Sequence, residues 1–260
     1  MAVALFFAST AGAVDSQERL IVAGTGDSQA LLRNLAGSFE KLHPGLKIEV
    51  PDSVGSGGGI KAVRRGDADL GRTARPLKES ERPGLTEIRI GKSPVVFATH
   101  PSLKRLTDLS SEQILAIYAG KISNWKGVRG PDAKIYPICR EEGDSSLEAI
   151  VKKMPLFKDM YSVCKEIFTT WETAAAIRDH QNTIGYLPLS MALEYGLHPL
   201  IIDGQIPDHE HVDKDAYPYV TSFYLVKNDN PSPLALQFID YVLSPEAGAQ
   251  MLEQGVVPVR

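Results

Sequence analysis

The chain has 260 residues, 43% of them hydrophobic, enough to bury the core of one large domain or two of ordinary size. Its net charge of −4 carries no basic stripe interleaved with aromatics, so nothing marks a nucleic-acid-binding surface. A small anion can still be held locally, by hydrogen-bond donors rather than by net charge.

The first residues, MAVALFFASTAGAVDS, form an apolar run that ends in Ala11-Gly12-Ala13. This is expected to be the remnant of an export signal over residues 1–13, lacking its basic start; an apolar amino-terminal strand is the other reading. About a dozen apolar residues fall short of the ~20 needed to span a bilayer. Residues 19–23 (RLIVA) then predict a buried strand that ends at the turn Gly24-Thr25-Gly26-Asp27-Ser28. Leu31, Leu32, Leu35, Phe39 and Leu42 recur at helical spacing, with Asp27 or Ser28 as N-cap and Pro44-Gly45 as the stop. Residues 46–50 predict a second strand, followed by the glycine loop SVGSGGGIK, a short helix carrying Ile60 and Val63, and a strand entered through Asp67-Ala68-Asp69-Leu70-Gly71.

Further on, residues 93–99 (SPVVFAT) predict a strand, 109–118 an amphipathic helix and 135–139 another strand. Gly143-Asp144-Ser145-Ser146 opens a helix carrying Leu147, Ile150 and Val151. A helix over 172–180 and a strand over 183–187 precede a polar connector at 203–218, a strand at 219–226 and one final helix from Pro233 to about Gln254. Such alternation implies an α/β fold with mostly parallel sheets flanked by helices. The two cysteines, Cys139 and Cys164, suit an exported protein; their spacing does not say whether they meet, and one disulfide is favoured over two buried thiols. His209-Glu210-His211 reads as a solvated polar loop, so no metal and no cofactor is expected.

Open α/β sheets bind ligands beyond the carboxyl ends of their strands, where helix starts present free amides. Thr25 with Ser28, Ser56 with its glycines, and Ser145 with Ser146 put hydroxyls at such turns. If the turns converge, they make a site for a small tetrahedral anion. The glycine stretch fits neither the phosphate loop G-x-x-x-x-G-K-[ST] nor the dinucleotide fingerprint G-x-G-x-x-G.

SVGSGGGIKAVRRGDADLGRTARPLKESE resembles a segment of the phosphate-binding proteins of Pst-type ABC transporters, a family of type II periplasmic solute-binding proteins. There a G-S-G-G-G-I-K loop precedes G-x-x-D-[IL]-G and S-R-P-L-K-x-x-E. LTDLSSEQILAIYAGKISNWKGVRGPDAKIYPICREEGDSSLEAI is similar to the family's L-T-x-x-Q-[LI]-x-x-I-[FY]-x-G-K-I-x-N-W segment and its later R-x-[DE]-G-S-G-T loop, and NTIGYLP matches its G-A-I-G-Y. The likeness runs from about Arg19 to Gly255.

The resemblance places the ligand-binding set at Thr25, Gly26, Ser28, Ser56, Asp69, Arg140, Asp144, Ser145 and Ser146. Asp69 would accept a proton from a protonated phosphate and repel sulfate, which has none. Asp144 departs from the family's S-G-T: it must cap its helix, be offset by a cation, or belong to a site for another ligand. Arg72 and Arg75 are the candidate cations across the cleft, Glu142 the candidate partner of Arg140, and Glu172 a further acid near a helix start that borders the cleft. The implied architecture is two domains, 15–96 plus 219–260 and 97–218, hinged near Phe97-Ala98 and at 217–219. The implied function is extracytoplasmic capture of a small oxyanion, phosphate first, by a monomer that delivers it to an ABC transporter permease. Competing readings are the same fold serving another oxyanion or an organic phosphate as a sensor or adhesion module, and a phosphatase-like hydrolase, for which no Ser–His pairing or G-x-S-x-G elbow speaks.

Overall fold

The computed structural model describes residues 18–160 and 162–259; the expected export signal lies outside them. In chain order the elements are β1 (Glu18–Gly24), α1 (Gln29–Leu42), β2 (Leu46–Glu49), α2 (Gly55–Arg65), β3 (Leu70–Thr73), β4 (Leu85–Thr99), β5 (Asp108–Leu109), α3 (Ser111–Tyr118), β6 (Tyr136–Arg140), α4 (Ser145–Lys153), β7 (Lys165–Ile167) and α5 (Thr170–Asp179). They continue with β8 (Thr183–Pro188), α6 (Leu189–Glu194), β9 (His198–Pro199), β10 (Ile201–Ile202), α7 (His209–Asp213), β11 (Val220–Asn228), α8 (Pro233–Val242), α9 (Pro245–Glu253) and β12 (Val257–Pro258).

The main sheet runs β2-β1-β3-β11-β4-β8-β6-β7. Its two outer triplets, β2-β1-β3 and β8-β6-β7, are parallel within themselves, while β11 and β4 pair antiparallel at the centre. Each triplet is a strand–helix–strand winding, so the carboxyl ends of its strands face helix starts. Two large apolar cores lie along this sheet. One collects Leu20, Leu31, Leu35, Phe39, Leu70 and Ile90 with Phe223, Phe238 and Met251 from the end of the chain. The other collects Val95, Phe97, Tyr118, Trp125, Ile150, Phe157 and Tyr186. The core therefore changes over along the uninterrupted strand β4, between Ile90 and Val95, and the two cores define two lobes.

Three local predictions are corrected. The glycine stretch is the first two turns of α2 rather than a loop ahead of it. A Cβ on Gly59 would come within 2.6 Å of the Ala23 carbonyl oxygen and the Gly24 Cα, so glycine here lets a helix lie directly on β1. The single final helix is two, because Ser244 caps a new start with Pro245 in its first turn. His209-Glu210-His211 starts the short helix α7, with His211 Nδ1 2.6 Å from Asp208 Oδ1. Among the described residues no helix is long and apolar enough to cross a membrane.

Candidate functional site

Four strand-to-helix turns meet around a cavity of about 230 Å³. The first lobe contributes Thr25 and Gly26 after β1 and residues 53–56 at the start of α2; the second contributes Arg140, Glu141 and residues 143–145 between β6 and α4, and residues 168–170 before α5. The N-cap Val54 of α2 offers no side-chain hydrogen bond; Gly55 N donates to Ser53 Oγ at 3.3 Å, and the amides that follow it are the ones presented to an acceptor in the cavity. Asp144 caps α4 by accepting from Leu147 N at 2.9 Å, and Thr169 caps α5 by accepting from Glu172 N at 3.2 Å. A larger and mainly apolar cavity, about 650 Å³, lies at the amino ends of β6 and β8 and contains none of the sequence-predicted residues. Helix amides, hydroxyls and a guanidinium converge only on the smaller one, and that is where anion chemistry belongs.

The guanidinium of Arg140 is 4% exposed and is held from several sides. Its Nε donates to Ile167 O at 3.0 Å and to Glu141 Oε2 at 3.1 Å, and its Nη1 donates to Thr170 Oγ1 at 3.2 Å. Nη2 lies 3.0 Å from Asp144 Oδ2. The backbone beneath is fixed by the second core, since Arg140 N donates to Tyr186 Oη at 2.8 Å and the Tyr186 ring packs edge-on against Phe97 and Phe157. Burial pushes the Asp144 carboxyl up to about 7; Arg140 opposes the shift and Asp27 adds to it. Burial lowers the Arg140 guanidinium, but Asp144, Asp27 and Glu141 more than offset this and raise it.

Asp27, 1% exposed, joins the lobes. Its Oδ2 accepts from Ser145 Oγ at 2.5 Å and its Oδ1 from Thr170 Oγ1 at 2.7 Å, both donors on the second lobe.

Of the sequence-predicted set, the structure brings Thr25, Gly26, Ser56, Arg140, Asp144 and Ser145 to the cavity. Ser28 and Ser146 do not line it; both side chains are fully buried and their Oγ atoms have no hydrogen-bond partner. Asp69 is not there either. It precedes β3, at the opposite end from the helix starts, and its Oδ2 accepts from Ile21 N at 2.7 Å, tying β3 to β1. Arg72 is not a cleft cation: it is fully buried and donates to Thr25 O at 2.7 Å, Pro51 O at 2.7 Å, Val22 O and Gln29 Oε1 at 3.2 Å. Burial pulls it down to about 9. Arg75 forms a two-pronged pair with Glu81, at 2.7 and 2.8 Å, and Glu142 pairs with Lys158 at 2.8 Å rather than with Arg140. The expected offset of Asp144 by Arg72 or Arg75 is thus replaced by Arg140, four residues back in its own segment.

Sequence reasoning missed the fourth turn. Phe168, Thr169 and Thr170 line the cavity, and the available signal was the capping pattern Thr169-x-x-Glu172. It also treated Asp27 only as a cap, although Ser28 occupies that position without a side-chain bond.

Residues 9–246 match the model of the PBP superfamily domain. The phosphate-binding protein PstS of Borreliella burgdorferi is 26% identical, over 95% of this chain and 92% of that relative. PstS of Bacillus subtilis is likewise 26% identical, over 96% of this chain and 84% of the relative. Among solved structures, a substrate-binding protein from Clostridium perfringens, assigned to phosphate ABC transport and holding bound phosphate, superposes with a TM-score of 0.79 at 25% identity, covering 94% of this chain and all of that one. The cysteines that the sequence left open are joined as a disulfide. The chain belongs to the PBP superfamily.

Proposed function

From membership of the PBP superfamily, we propose that this protein captures a small oxyanion, phosphate first, outside the cytoplasm and releases it to the permease of an ABC transporter. The observation that carries the reading is the cavity itself: uncapped helix amides, hydroxyls and the buried Arg140 converge from both lobes. A phosphate loses its hydration shell on entry, and many fixed donors, the Arg140 guanidinium among them, replace that shell. The names of the relatives point the same way. The Cys139–Cys164 disulfide suits an oxidising compartment.

In this reading the lobes are residues 15–96 plus 219–260 and residues 97–218, and the monomer closes around its ligand. Thr25, Gly26, Ser53, Ser56, Arg140 and Ser145 are the contacts, and Asp144 sets the charge of the wall. No turnover is assigned. Native mass spectrometry of undialysed protein, followed by calorimetry with phosphate, sulfate, molybdate and organic phosphates, tests the reading. Phosphate bound at stoichiometric ratio supports it. Absence of binding by every oxyanion, or hydrolysis of a chromogenic phosphate ester by pure protein, overturns it.

A further inference from the structure

The hydroxyl protons around the cavity are divided between the lobes. On the first-lobe side, Thr25 Oγ1 accepts from Asp27 N, Ser53 Oγ from Gly55 N and Ser56 Oγ from Ala74 N, at 3.3, 3.3 and 3.2 Å. Among the described residues none of these hydroxyls donates to a protein acceptor, so each keeps a proton for a ligand. The facing side is the reverse. Ser145 and Thr170 both give their protons to Asp27, and Thr169 gives its proton to Glu172 Oε2 at 2.5 Å. A hydroxyl has one proton. Once it is committed, only lone pairs are left for the cavity. Thr170 Oγ1 already accepts from Arg140 Nη1 at 3.2 Å, and Asp144 adds carboxylate oxygens to the same wall.

We propose that Asp27 is the specificity-determining residue of this cavity. It holds the Ser145 and Thr170 hydroxyls in the accepting state, so that the site selects an oxyanion carrying its own protons. Resting on the phosphate reading above, this names the ligand form: dihydrogen phosphate, over hydrogen phosphate and over sulfate. The ligand's unprotonated oxygens face the first-lobe hydroxyls and α2 amides; its P–OH groups donate to the second-lobe wall. Charge acts in the same direction. Asp144 and Glu141 line the cavity, Asp27 sits directly on its Ser145 and Thr170 hydroxyls, and Arg140 is the cation among them. Arg72 turns its guanidinium to the Val22, Thr25 and Pro51 carbonyls behind β1, and Glu172 on α5 is engaged by Thr169. A second negative charge on the ligand is therefore opposed.

Calorimetry on the full chain with inorganic phosphate and with sulfate, at about pH 5.5 and about pH 8.5, tests this. Wild type is expected to bind phosphate at least about tenfold more tightly at the lower pH and to reject sulfate at both. In Asp27→Asn the amide donates as well as accepts, which frees a hydroxyl proton for the ligand. That variant should narrow the pH ratio to within about threefold and gain sulfate binding. Wild-type affinity that is equal at both pH values, or sulfate binding as tight as phosphate, overturns the inference and leaves the phosphate reading standing. An unchanged pH ratio in Asp27→Asn overturns the role of Asp27. No phosphate binding by wild type at either pH overturns the phosphate reading and this inference together. Should Asp27→Asn fail to fold, equal wild-type affinity at both pH values, or sulfate bound as tightly as phosphate, still overturns the inference.

Discussion

Asp144 Oδ2 stands 3.0 Å from Arg140 Nη2, and each side chain is only 4% exposed. The carboxylate that breaks the family's sequence pattern is thus tied to the arginine that keeps it, and it caps α4 in the same position. Burial raises the Asp144 carboxyl to about 7, well above its ordinary value of about 3.9. A carboxyl raised in the folded chain holds its proton more tightly there than when unfolded. That stabilisation is complete below about pH 4 and is lost as pH rises through about 7. The thermal midpoint of ligand-free protein should therefore fall between about pH 5 and pH 8, and Asp144→Asn should flatten the slope. A wild-type midpoint that stays level across this window contradicts the shift.

Ser56 and Ser146 separate a lining hydroxyl from a buried one. Ser56→Ala should weaken phosphate binding by about 1–3 kcal/mol, the usual cost of an unmet partner. Ser146 Oγ is buried without a partner, so Ser146→Ala should leave affinity within about twofold and hold or slightly raise stability. Titration calorimetry compares the two. Equal losses in both variants would bring the Ser146 hydroxyl back to the ligand.

Within the glycine stretch, position decides the cost of a methyl group. Gly59→Ala drives a Cβ into β1 and should destabilise by about 1–3 kcal/mol. Gly57 has open space around its ideal Cβ, so Gly57→Ala should gain up to about 1 kcal/mol from helix propensity. Urea unfolding measures both, and the same sign for the two variants would refute the close approach of α2 to β1.

The disulfide joins Cys139 in β6 to Cys164 across a separation of 25 residues. Closing a loop of that size should contribute about 3 kcal/mol by restricting the unfolded chain. The double variant Cys139→Ala/Cys164→Ala should lower the unfolding midpoint in denaturant accordingly. A midpoint equal to that of oxidised wild type would mean that the bridge adds nothing.

The alternation of apolar strands and amphipathic helices was legible because burial imposes period two or 3.6 on the sequence. The turns were legible because hydroxyls and glycines gather where helix amides are free. Asp69 was misplaced for a physical reason: a carboxylate next to a strand can serve a ligand or a neighbouring backbone N–H, and composition does not say which end of the strand it occupies. Arg72 shows the same ambiguity, since a cation in a motif can be consumed by carbonyls behind the site. The partnership of Asp27 with Ser145 and Thr170 spans 118 and 143 residues, and no local pattern encodes a contact of that range. Thr170 itself was within reach through the capping signature at Thr169.

The central position of β11 has a consequence for synthesis. β11 inserts between β3 and β4, and Phe223, Phe238 and Met251 complete the first core from the end of the chain. Nearly all of the second core lies between Val95 and Val220, Val257 excepted, so during translation it emerges almost complete while the earlier-made lobe still lacks its middle strand. The amino-terminal half is thus expected to wait, with open edges on β3 and β4, until the last stretch leaves the ribosome. Limited proteolysis of stalled nascent chains ending near residue 219 should find the later-made lobe protected and the earlier one cleavable; equal protection of both would show that the first lobe closes without its missing strand.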